Sequence, residues 1–194
     1  AAANTTGWDI RIHNDASFTT TGAANTYTGT KTLGQGQFIW DKTAPLGPSG
    51  NFNFNGGVVT LGSNLADLAG VNALVNPVFF GGDPATFSGA KNFELDGDIT
   101  NSGGDRALQN DLSGGAGLVI DGVVNLSNDA SSRTFSIQGG GDTTINGVVQ
   151  NGGTISFVGI DNVTVGGHGT NQGWYNLNGG TLNAAVGPFI LGES

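Results

Sequence analysis

The 194-residue chain contains no cysteine and no methionine, and charged side chains make up only 11% of it. Without cysteine there can be no disulfide framework, no thiolate metal centre and no cysteine nucleophile. Six basic residues stand against 15 acidic ones, for a net charge of −9, and Lys and Arg cluster nowhere. A chain without a basic patch has little with which to hold a phosphate backbone or an anionic lipid surface, so no nucleic-acid partner is expected. No apolar run approaches the roughly 20 residues of a membrane-spanning helix, so no membrane insertion is expected either. What the chain has in abundance is 36 Gly, 21 Asn and 20 Thr, a mixture poor in helix formers and rich in turn formers. Hydrophobic residues still amount to 37%, enough to build a core. The composition therefore predicts an all-β protein with many corners, and the length suits a single domain over 1–194.

A short pattern recurs five times: apolar, any, apolar, Asn or Asp, Gly, any, apolar. It occurs around Asn55-Gly56, Asp96-Gly97, Asp121-Gly122, Asn146-Gly147 and Asn178-Gly179. The fourth copy opens on Thr143 where an apolar residue is expected, and the fifth delays its last apolar residue to Leu182. Alternation before the dipeptide puts two side chains on one face of a strand, and Asx-Gly tolerates positive φ at a bend, so each unit reads as strand, corner, strand. The same dipeptide could close a two-residue hairpin. Spacing argues for a solenoid instead, because Gly97, Gly122 and Gly147 lie 25 residues apart, one coil each. The fold expected is a single-stranded parallel β-helix of about 25 residues per coil. The 41 residues from Gly56 to Gly97 imply a short helical or loop insertion near 64–76, where Leu65, Leu68, Val71 and Leu74 have helical spacing before Pro77. The 32 residues from Gly147 to Gly179 imply a second excess in the loop 166–173.

Toward the N-terminus, Trp8 to His13 alternates and reads as a strand, and so does Thr26 to Thr32, which would set Thr26, Thr28, Thr30 and Thr32 on one face. Thr43 to Gly50, with two prolines, reads as a loop. The segment Asn25-Thr26-Tyr27-Thr28-Gly29, running on to Leu33, resembles a strand repeat of autotransporter passenger domains and related secreted bacterial repeat proteins. The segment Tyr175-Asn176-Leu177-Asn178-Gly179-Gly180-Thr181-Leu182 is similar to the Gly-Gly-Thr-Leu element that follows it in that family. The resemblance implies a right-handed parallel β-helix on the cell exterior. The start at Ala1-Ala2-Ala3 is similar to the end left by signal-peptide cleavage, which agrees with a secreted or cell-surface location.

Chemistry is sparse. Asp96 and Asp98 flank a corner glycine and could form a carboxylate pair or calcium ligands, but no row of carboxylates across coils is evident, and turn Asp residues commonly serve their own backbone. Gly139 to Ile145 partly resembles one calcium-binding nonapeptide repeat. His13 and His168 have no partners at ligand spacing. Arg106 lies beside Asp105 and Arg133 near Asp129, where solvated pairing is the default. Neither a catalytic site nor a cofactor or metal is expected, so the chain is not expected to be an enzyme.

A solenoid leaves unpaired strands at its ends. The segment 1–18 is expected to dock on a neighbouring subunit, with Trp8, Ile10 and Ile12 meeting Phe189, Ile190 and Leu191 of the next copy. This predicts a homo-oligomer or a head-to-tail filament, a structural subunit of a surface or matrix. The competing reading is an adhesin with carbohydrate as candidate ligand, bound through Tyr27, Trp40 and Trp174.

Overall fold

The computed structural model describes residues 8–11 and 17–150, apart from positions 65, 83, 130 and 132, and beyond them the backbone of the strands at 154–158, 162–165, 175–178 and 181–184; side chains are described between 21 and 150. Every strand pairing is parallel. A hairpin joins antiparallel strands, so the Asx-Gly dipeptides among the described residues close none. The chain is a parallel β-solenoid of about five turns with about 25 residues per turn. No α-helix occurs among the described residues, and none of their helices is long and apolar enough to cross a membrane.

The turns stack into three faces. The N-terminal strands β1 (Trp8–Arg11) and β2 (Ser17–Thr21) both pair with the long strand β3 (Lys31–Asp41), which bends through two faces. Face A stacks residues 31–33 of β3, Phe52–Phe54, Val78–Phe80, Ile99–Asn101, Val124–Asn125 and Val149–Gln150. Face B stacks residues 36–39 of β3, Val59–Gly62, Ala85–Gly89, Arg106–Leu112, Thr134–Gln138, Thr154–Val158 and Tyr175–Asn178. Face C stacks Phe93–Leu95, Gly117–Ile120, Asp142–Ile145, Asn162–Val165 and Thr181–Ala184.

Alternation turns every second side chain inward, and in-register stacking turns those side chains into columns. On face C the columns are Phe93, Leu118, Thr143 and Leu95, Ile120, Ile145; on face A, Phe52, Val78, Ile99, Val124 and Val149 form another. All of these side chains are buried. Burying one such apolar side chain contributes about 1.5–3 kcal/mol, and a one-residue slip would turn a whole column outward, so the core fixes the register. Toward the N-terminal end the core is aromatic. The Phe54 ring packs on Phe52 at 4.6 Å, Phe80 at 5.0 Å and Phe87 at 6.4 Å between centroids. Trp40 packs on Phe52 at 5.7 Å and is buried, which removes it from any ligand-contacting loop.

The five corner dipeptides are not equivalent, as the repeat had suggested. Asp96-Gly97, Asp121-Gly122 and Asn146-Gly147 turn the chain from face C to face A, whereas Asn55-Gly56 turns it from A to B. Asn178 ends a face B strand, and Gly179 lies outside the described residues. The 41-residue interval therefore compares two different corners. The corner below Gly97 is Asn76-Pro77, since a Cβ on Gly97 would collide with the Asn76 carbonyl and the Pro77 nitrogen. The insertion near 64–76 is accordingly small. Leu68 and Leu74 bridge Phe93 and Leu95 on face C, six positions matched to two, and the extra four residues hold a single 3-10 turn, Gly70–Asn72, with Val71 fully exposed.

Residues 22–30 form no strand, and only Thr32 of the four threonines joins β3. The segment instead runs beside the loop 42–50, with the Asn25 N–H donating to the Ala44 carbonyl at 3.2 Å. The expected threonine face is thus absent from the described residues. Lys31, next in the chain, points inward and is fully buried. Its Nζ donates to the Tyr27 carbonyl at 3.2 Å and to the Ser49 carbonyl, and burial lowers its pKa from the ordinary lysine value.

Thr143, the misfit in the repeat, has a partner. Asn110 occupies an inward position of face B above Phe87. Its Nδ2 crosses the interior to donate to the Asp142 carbonyl at 2.8 Å and Thr143 Oγ1 at 2.9 Å, while its Oδ1 accepts the Leu112 N–H at 3.1 Å. Two polar residues replace two apolar ones and satisfy each other, as buried polar groups must. Thr143→Val is expected to lower stability by about 1 kcal/mol and Asn110→Leu by about 2–3 kcal/mol, because it strands more partners. In denaturant unfolding, the double variant should lose about 1 kcal/mol less than the sum; strict additivity would contradict the coupling.

Candidate functional site in the corner column

At each C-to-A corner, two consecutive N–H groups converge on one carbonyl of the previous coil. Asp96 and Gly97 donate to the Leu74 carbonyl at 3.0 and 3.3 Å, Asp121 and Gly122 to Leu95 at 2.9 and 3.2 Å, and Asn146 and Gly147 to Ile120 at 2.8 and 3.1 Å. This draws each corner down onto the one below. A Cβ on Gly97, Gly122 or Gly147 would lie well inside 3.0 Å of a carbonyl oxygen in the coil beneath. Glycine is needed here for space and not for positive φ, which these three residues do not adopt.

The residue before each glycine points outward, so Asp96, Asp121 and Asn146 form an exposed row. Glu94, facing outward from the strand that leads into the first of these corners, joins them. Carboxylate oxygens of Glu94, Asp96 and Asp121 lie within 4.8 Å of one another. Asn146 Nδ2 donates to Asp121 Oδ1 at 2.7 Å, and the Gly70 N–H donates to Glu94 Oε2 at 2.5 Å. That Gly70 bond favours ionised Glu94. Partial burial, a hydrogen bond with Asp121 and repulsion from Asp96 and Asp121 outweigh it, and the Glu94 pKa lies above its ordinary value. Chemically, three converging carboxylates can share a proton or offer oxygen ligands to a hard cation, which would need further oxygens from water.

The pairing of Asp96 with Asp98 suggested by the sequence is not the one formed. Asp98 Oδ1 accepts the Val123 N–H at 3.0 Å, serving backbone as turn Asp residues do. Two carboxylates, Asp96 and Asp121, do stack across coils, and their signal in the sequence is the same 25-residue spacing one position before each glycine. Glu94, two residues before Asp96, shares its outward face through strand alternation. Gly139 to Ile145 forms a corner, with the Gly141 N–H on the Asn110 carbonyl at 2.9 Å, and then a face C strand. Arg133 pairs with Asp129 at 2.6 Å as expected, and hydrogen bonds from Arg133 and then from the Ser131 N–H hold the Asp129 carboxyl well below the usual range. Arg106 does not pair with Asp105, whose Oδ1 accepts the Thr134 N–H at 2.8 Å. Trp8 and Ile10 lie on β1, while Ile12, Phe189, Ile190, Leu191, His13, His168 and Trp174 lie outside the described residues.

Because the Glu94 pKa is raised on folding, its contribution to stability is full below the ordinary carboxylate range and is lost as pH rises through the folded value. Asp121→Asn keeps an oxygen acceptor for Asn146 and removes one repelling charge. It is expected to raise stability at pH 7 by up to about 0.5 kcal/mol and to flatten the decline above pH 4.5. Thermal midpoints across that window, identical for both proteins, would contradict the coupling. No protein-family model matches the chain, and neither a curated protein nor a solved structure is similar enough to count as a match.

Proposed function

We propose that the protein is a secreted structural element, a subunit of a surface or matrix filament assembled head to tail. The observation that carries this reading is the state of the end strands. Among the described residues β1 and β2 each pair only with β3, and at the other end Tyr175–Asn178 and Thr181–Ala184 each pair on one edge only. An edge strand presents a row of N–H and C=O groups ready to pair with another chain. Because the outermost described coils are both parallel coils of one stack, a second copy can add such a coil to the other by strand addition. Such a contact joins unlike surfaces, does not close on itself, and extends into a filament. The resemblance of Asn25 to Leu33 to autotransporter passengers and related secreted repeat proteins supports the extracellular setting and, with it, right-handed winding. In this reading Trp8, Ile10 and Ile12 supply one side of the joint and Phe189, Ile190 and Leu191 the other, and the role needs no cofactor and no catalysis.

Light scattering and electron microscopy of the full chain and of a variant lacking residues 1–13 test the proposal. The full chain should form rods one solenoid wide whose length grows with concentration, and the deletion should leave short particles with the same β-type circular dichroism. One unchanged monomeric mass before and after deletion would overturn it.

A further inference from the structure

The A-to-B corners carry a different feature from the acidic row. Asn55, Gly81 and Ser102 occupy the same place in three successive coils, their N–H groups donating to the carbonyls of Leu33, Phe54 and Phe80 at 3.1, 2.8 and 2.9 Å. The middle member has no side chain, so a notch opens between Asn55 and Ser102. It continues over the outward residues Asn53 and Phe79, register partners on face A, and ends against Arg106, forming a groove of about 310 Å³. That size lies at the small end of ligand sites.

Three observations define what would fit. Arg106 donates Nε–H to the Ser102 carbonyl at 3.2 Å and forms no ion pair among the described residues, so the fork of its terminal nitrogens is available to an oxyanion. No acidic side chain lines the groove, in a chain where acids outnumber bases 15 to 6. Asn51 and Asn55 line the groove with exposed amides, which can donate to and accept from hydroxyl groups. The same lining includes the half-buried Phe79 ring, an apolar surface.

We infer that this groove binds a carboxylated sugar, a uronic-acid unit whose carboxylate meets Arg106, whose hydroxyls meet the Asn51 and Asn55 amides and whose C–H face rests on Phe79. A neutral sugar would leave the guanidinium unpaired, and a bare inorganic anion would leave Phe79 and the two amides unused. The binding is independent of filament assembly, since the groove lies on the side of the stack and not at its ends.

Calorimetric or NMR titration with oligogalacturonate, the neutral oligosaccharide of matched length, and sulfate tests the inference. Oligogalacturonate should bind saturably, about tenfold or more tighter than either control, and weaken with added salt. Arg106→Gln and Phe79→Ala should each reduce its affinity about tenfold, with circular dichroism unchanged; Phe79→Ala alters no hydrogen bond and serves as the check if Arg106→Gln perturbs folding. Absence of saturable uronate binding, equal binding of the neutral sugar or of sulfate, or affinity unmoved by Phe79→Ala would overturn it.

Discussion

Two N–H groups on one carbonyl, repeated coil after coil at the C-to-A corner, are the constraint from which the rest of the stack follows. The convergence brings backbone against backbone, so Gly97, Gly122 and Gly147 can carry no Cβ. With the corner pinned, the strands on either side have their register set: Leu95, Ile120 and Ile145 stack before it, and Ile99, Val124 and Val149 after it. The apolar columns then reinforce what the corner begins, since each buried column would be lost by a slip of one residue. Parallel pairing is the only arrangement compatible with both.

Much of this was legible in the chain because β alternation and the needs of a tight bend leave strong traces. The columns read directly as apolar residues two apart on either side of Asx-Gly. Which corner each dipeptide occupies was not legible. Any bend that presses on the coil below needs a residue without a Cβ, so Asn55-Gly56 looks like Asp96-Gly97 although it turns between different faces. The insertion was overestimated for the same reason. Thr143 stood out as an irregularity, but its cause, Asn110, lies 33 positions earlier on another face and joins it only through the folded interior. Trp40 was misread because an aromatic residue at the end of a long strand gives no local sign of the side it faces.

Polar chemistry was the least legible part. Asp96 and Asp121 share the 25-residue period, whereas Glu94 lies beside Asp96 by strand alternation and meets Asp121 only through stacking. Arg106 sits beside Asp105 in the chain, but that carboxylate is committed to the Thr134 N–H of the next coil, which leaves the guanidinium to the groove. In both cases a decisive partner, Asp121 for Glu94 and the Thr134 N–H for Asp105, comes from the adjacent coil. A solenoid thus separates two kinds of surface: sides on which rows and notches recur with the coil, and the two faces of the stack along its axis, where among the described residues the outermost strands pair on one edge only. The proposed assembly uses the ends, and the groove uses a side.

The central claim is the in-register parallel stack, and a chain without cysteine offers a direct test. Thr100 and Asn125 are register partners on face A, and Gln150 lies one coil further on. Neighbouring parallel strands stand about 4.8 Å apart, within reach of a disulfide, whereas strands two coils apart are about twice that distance and out of reach. Under mild oxidation, Thr100→Cys with Asn125→Cys should cross-link rapidly within one molecule, and Thr100→Cys with Gln150→Cys should not. Equal cross-linking of the two pairs, or cross-linking of the distant pair alone, would contradict the stack.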